Sequence, residues 1–116
     1  ISSSRRFKTD IQDMAEASSR LMLLRPVTYR YKQSYADGSM PIDYGLIAEE
    51  VAEIYPDIVV RNADGEIETV QYHKVNAMLL NEVQKQYRDN QAQQREIDEL
   101  RARLATLERL LATDRR

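Results

Sequence analysis

The strongest pattern in the chain lies at its C-terminal end. From Tyr72 onward no Gly or Pro occurs, and apolar residues fall into a heptad frame. Val83, Ile97, Leu104 and Leu111 take position a, and Leu79, Leu100 and Leu107 take position d. Such a run predicts one continuous helix, roughly 60 Å long at about 1.5 Å per residue. The residues before it are too few to cover a helix of that length, so the pattern asks for partner helices.

The charges beside the stripe favour a parallel arrangement of identical chains. Glu96 and Arg103 fall at g, and Arg101 and Glu108 at the e positions of the following heptads. In an in-register homo-oligomer Glu96 faces a neighbour's Arg101 and Arg103 faces its Glu108, opposite in sign both times. Each exposed pair contributes only about 0.2–1 kcal/mol, so they specify more than they stabilise. Gln86 and Gln93 at d and Asn90 at a interrupt the apolar core. Buried amides there cost stability but penalise slipped registers. The a and d residues by themselves do not fix the number of strands.

Upstream, shorter periods alternate. Thr9 and Gln12 have capping-box spacing, and Ile11, Met14, Leu21 and Leu24 form a rough helical stripe that Pro26 ends. "VTYRYK" at 27–32 alternates apolar and polar residues and predicts a half-buried strand. "ADGS" at 36–39 is turn chemistry. In "YGLIAEEVAEIYP" (44–56) Ile47, Val51 and Ile54 share one helical face, expected to pack on that strand and on a following hairpin. Glu49, Glu50 and Glu53 point outward. "DIVVRNADGEIETVQY" at 57–72 predicts this hairpin, two β-rich arms about Asp64-Gly65.

Composition narrows the chemistry. A chain of 116 residues is one domain's worth, and its start at Ile1 leaves room for it to be a fragment of something longer. With a net charge of -2 no strong field favours nucleic acid, and no apolar run reaches the roughly 20 residues of a membrane span. Cysteine is absent, which excludes disulfides, thiolate zinc sites and cysteine nucleophiles. His73 is the single histidine, so neither a Ser-His-Asp triad nor a histidine-rich metal cluster is available. The Asp64-Gly65 stretch lacks the alternating oxygen ligands of a calcium loop, and the three glutamates read as a solvated helix face. No glycine-rich phosphate loop exists, and the seven tyrosines lack the basic groove that base stacking needs. Neither a metal nor a cofactor is expected.

The opening "SSSRRFKTDI" (2–11) offers another chemistry: a serine hydroxyl followed five residues later by an amine. Ser and Lys form a nucleophile–base pair where histidine is missing. A lysine base must shed its proton, which burial or the like charge of Arg5 and Arg6 promotes, and Phe7 is placed to exclude water. Five apart, the two side chains diverge on a regular helix or strand. A working pair therefore needs a turn between them or a lysine from another subunit; the bland reading is a solvated basic leader.

The order of these pieces resembles a known family. "SSRRFK" (3–8) is followed by "LRPVTYRYK", "YGLIAEEV", a Pro, a β-rich stretch with "VQYHKVNAMLLNEVQK", and a heptad helix. This is similar to the C-terminal intramolecular chaperone domain of endosialidases and other phage tail spikes, fibres and neck appendages, with relatives in the myelin regulatory factor family. The resemblance runs from Ser3 to about Leu111. It implies an α+β domain with a globular helix-strand-hairpin part over 1–72, self-cleavage site included, and a long helix over 73–116 that forms a parallel trimeric coiled coil. It implies folding assistance to an upstream segment of the same polypeptide, then autoproteolysis, with itself and that segment as partners and neither nucleic acid nor membrane. By the same likeness Ser3 is the nucleophile, Lys8 its base, and the scissile bond joins Ser2 to Ser3. The family commonly carries Asp after the nucleophile where this chain has Ser4; among three consecutive serines the lysine spacing selects Ser3. Ile1 and Ser2 would then precede the cut, making this an uncleaved chain. The expected setting is the host cytoplasm during phage assembly, with the upstream protein in the virion tail. The alternative is a permanent, non-catalytic trimeric stalk or attachment module.

Overall fold

The structure, a computed structural model, describes residues 2–114. Its elements are two small antiparallel sheets, one short helix and one long helix, an α+β fold with a long C-terminal helix. Strands β1 (Val27–Tyr29) and β2 (Asp43–Gly45) pair with Thr28 opposite Tyr44. Helix α1 follows over Ala48–Ile54, then the hairpin β3 (Val59–Arg61) and β4 (Ile67–Val70), and helix α2 over Tyr72–Asp114. The chain divides into two compact units at the Asn81/Glu82 boundary.

The first unit holds a small core of Leu21, Val51, Tyr55, Ile58, Val70, Val75 and Met78. Val51, only 1% exposed, lies on α1, with Ile47 and Ile54 half-buried on either side of it in sequence. The expected face of α1 is therefore the buried one. It packs chiefly on the β3–β4 hairpin, whereas β1, the other expected neighbour, is not among its main contacts. Val75 and Met78 bring the first turns of α2 into the same core. On the opposite side of α1, Glu50 accepts two hydrogen bonds from the Arg25 guanidinium, at 2.7 and 3.0 Å. Those bonds hold its carboxyl below the ordinary value of 4.5. The contribution of this pair is present at neutral pH and fades as pH falls through that lowered value.

The hairpin turns where the Asp64-Gly65 pair sits. Gly65 has φ +84°, a conformation that costs a residue with a Cβ roughly 1–2 kcal/mol. Asn62 does much of the ordering, its Oδ1 accepting the amides of Asp64 and Glu66 at 3.0 Å each. Along "VTYRYK" the ladder stops at Tyr29, short of the expected strand. Arg30 instead donates from its guanidinium to the Met40 carbonyl at 2.9 Å. Similarly, Tyr44 and Gly45 belong to β2, so the expected helix starts only at Ala48.

One expected helix does not form. Between Thr9 and Pro26 there are only short 3-10 turns, at Ala15–Ser18 and Leu21–Leu23, and Thr9 caps nothing. Asp10 and Ala15 have φ of +54° and +50°, which breaks any right-handed helix at both places. Side chains distant in sequence compensate. Asn81 donates to the Ala15 carbonyl at 2.9 Å and to Ser18 Oγ at 2.7 Å, and Ser18 is fully buried. Tyr55 donates to the Ala17 carbonyl at 2.9 Å and accepts the Arg20 amide at 3.1 Å. These bonds satisfy backbone groups that a helix would have satisfied internally.

Two expectations test this packing. Val51→Asp buries an unpaired carboxylate and should destabilise the first unit by about 3 kcal/mol or more. Glu50→Ala, on the solvated side, should barely move the melting temperature; equal losses would show the buried face was wrongly placed. Asn81→Ala leaves Ser18 and the Ala15 carbonyl without that donor and should cost about 1–3 kcal/mol in denaturant unfolding. A neutral result would show that water substitutes for it.

Candidate functional site

The serine–lysine segment lies on the surface of the first unit. Ser4 is extended, Arg5–Phe7 makes one 3-10 turn, and Lys8 is extended again at φ -123° and ψ 148°. The Phe7 amide donates to the Ser4 carbonyl at 3.0 Å and the Lys8 amide to the Arg5 carbonyl at 3.1 Å. A turn therefore intervenes between Ser3 and Lys8, the local geometry that a pair five residues apart requires. Among the described residues no hydrogen bond joins the two side chains. Every residue from 2 to 13 is exposed, Phe7 at 60% and Ile11 at 54%. The Arg6 guanidinium rests 4.4 Å from the centre of the Phe7 ring. Ile1, expected to precede the cut with Ser2, lies outside the described residues.

Other candidate bases are poorly suited. Tyr29 and Tyr31 meet edge to face with their hydroxyls 3.3 Å apart. That hydrogen bond, with desolvation and the nearby Asp43 carboxylate, pushes the Tyr29 phenol up to about 12, so it stays protonated at physiological pH. His73 is an exposed residue of the first turn of α2. Glu49 and Glu53 are exposed. Among the described residues no three His, Asp or Glu side chains are grouped to hold a metal, and no helix is long and apolar enough to cross a membrane.

In the second unit the a and d residues stand bare. Val83 is 61% exposed, and Ile97, Leu100, Leu104, Leu107 and Leu111 lie between 41% and 59%. Leu79, in the first unit, is 43% exposed. Hydrogen bonds within the helix occupy some of the polar positions. Gln86 donates to Asn90 at 2.8 Å, and Arg103 pairs with Glu99 at 2.8 Å.

Residues 3–60 match a family described as the chaperone of endosialidase and designated a peptidase. The chain belongs to this family. Comparison with curated proteins found no match. Membership supports a chaperone role and a link to peptidase chemistry, and the matched span opens on Ser3.

One feature of the endosialidase-chaperone domain escaped sequence reasoning. An open apolar groove of about 870 Å³ lies in the first unit, lined by Met22, Leu24 and Val27 and by Tyr72, Asn76 and Leu79 of α2. Tyr72 Oη accepts the Leu46 amide at 3.2 Å beside it, and a Cβ on Gly45 would come within 2.9 Å of that oxygen. Extending the heptad frame backward is the signal that could have found it. Position a falls on Asn76 and d on Tyr72, so this wall of the groove is the heptad stripe itself.

Proposed function

We propose that this domain is a C-terminal intramolecular chaperone that gathers three copies of itself, promotes folding of the segment upstream, and then releases itself by cutting between Ser2 and Ser3. The observation that carries the assembly is the bare heptad stripe, a row of large apolar side chains with no cover on its own chain. Parallel, in-register helices bury it and align Glu96 with Arg101 and Arg103 with Glu108. Arg103 must then exchange Glu99 of its own helix for Glu108 of a neighbour. Family membership supports the chaperone role, and the number three is what the resemblance drawn from the sequence implies.

For the cut, Lys8 takes the proton of Ser3 Oγ and the oxygen attacks the carbonyl carbon of Ser2. The C–N bond breaks as the Ser3 nitrogen takes a proton. An ester joins the Ser2 carbonyl to Ser3 Oγ until water hydrolyses it. An amide is a poor electrophile and a neutral serine a weak nucleophile, so both activation and orientation are needed. A fully exposed segment supplies neither, and for that reason assembly is the step that completes the site. The setting we propose is phage assembly in the host cytoplasm, with the upstream protein destined for the virion tail.

Two experiments test the reading. Leu104→Asp places three carboxylates in one core layer and should abolish or sharply weaken the trimer in sedimentation or light scattering. A wild-type monomer at micromolar concentration would sink the assembly outright. In a longer chain carrying the upstream segment, gels should show two fragments, the smaller beginning at Ser3. Ser3→Ala should leave the trimer intact and uncut. Lys8→Arg should also stay uncut, because a guanidinium keeps its proton. Ser2→Ala and Ser4→Ala should be milder, and Leu104→Asp should remain largely uncut. A new terminus other than Ser3, or efficient cutting by Lys8→Arg, overturns the pair; an uncut wild-type trimer is the permanent stalk.

A further inference from the structure

We propose that the apolar groove of the first unit receives Phe7 of a second copy of the chain, so that each N-terminal arm is seated on its neighbour. The inference rests on the assembly read above but not on the cleavage. One wall of the groove is formed by Tyr72, Asn76 and Leu79, the d, a and d positions that run directly into the Val83 layer. A copy that pairs through this heptad frame docks along the same turns of α2 that line the groove. The lining also includes Met22, 67% exposed and without cover.

The arm has the complementary deficit. Phe7 and Ile11 are large, apolar and more than half exposed, in a segment whose side chains none of the first unit's core residues bury. Charge agrees with the placement. Arg5, Arg6 and Lys8 surround Phe7, and the hollow that shares Leu24 and Leu46 with the groove carries Glu50 and Glu53. Arg25 occupies Glu50, but Glu53 has no ion pair among the described residues. Seating Phe7 would hold the turn between Ser3 and Lys8 against a neighbouring subunit and exclude water from one side of it. Phe7 is then a positioning residue, effective only after assembly.

The chain contains no cysteine, so single ones can be placed freely. Phe7→Cys and Met22→Cys are made on separate 116-residue chains, each position being exposed enough to leave the core unchanged. The two chains are unfolded together, refolded as a mixture and treated with a short bismaleimide. A covalent dimer joining the two variants, beyond the dimers formed by either alone, is the expected result. Absence of that mixed dimer, or cross-linking only within a chain carrying both cysteines, overturns the proposal. In the longer chain, Phe7→Ala should slow cutting about tenfold or more at unchanged trimer content, and Phe7→Leu should largely restore it. Unchanged cutting by Phe7→Ala also overturns it. The readouts separate the two ideas: a mixed dimer in a chain that never cuts sinks the autoproteolysis alone, and cutting without the mixed dimer sinks the groove alone.

Discussion

A row of apolar side chains on α2 has nothing among the described residues to cover it. Helix propensity and intrahelical pairs such as Glu99–Arg103 help hold the backbone helical, but each such pair contributes only a few tenths of a kcal/mol. They do nothing to remove Leu100, Leu104, Leu107 and Leu111 from water. Tertiary packing is the main source of stability for most protein helices, and in the assembly proposed above it comes from other copies. The first unit is small and has one modest core, so it gains from the same event. In that proposal assembly is a condition of stability as well as a functional step.

The interruption of this row is informative. A stripe that was apolar throughout would pack more strongly but would tolerate a slip by one heptad. Gln86, Asn90 and Gln93 make slipped pairings place amides opposite leucines. Gln86 and Asn90 satisfy part of their demand through one another along the helix, which lowers the desolvation penalty in the correct register. In the proposed coiled coil the amides lower total stability, and what they supply is alignment of the chains. A chaperone that starts the folding of long β-rich partners has to deliver them in register, because their contacts are non-local and misalignment is slow to correct.

Where local pattern and local structure coincide, the sequence was readable. The hairpin follows from Gly65 and its β-rich arms, the buried face of α1 from Ile47, Val51 and Ile54, and α2 from an uninterrupted heptad frame. The segment from Thr9 to Pro26 was not, because its conformation is set by distant side chains. Asn81 and Tyr55 reach back to Ala15, Ala17 and Ser18, bonds with sequence separations of 38 to 66 that no window of periodicity contains. A left-handed Ala15 has no signature in a sequence at all. The candidate site divides the same way. Ser3 and Lys8 were legible as candidates, residue types at a spacing, and the structure places a turn between them. Their surroundings were not legible, since the single chain places nothing around them.

An exposed serine and lysine are nevertheless what a self-cleaving chaperone requires before assembly. A site complete in the monomer would cut as soon as the segment folded, releasing upstream chains that had never been joined. A site completed by a neighbour delays the chemistry until the stripe is buried, so the rate of cutting follows the concentration of trimer. On the proposed reading the stripe raises the effective concentration of the upstream segments to that of linked modules, often millimolar, while they pair. On that reading, cutting the bond between Ser2 and Ser3 removes the tether. Whatever the upstream chains have formed must then persist through its own unfolding barrier, a stability set by a rate and not by equilibrium with the separated chains.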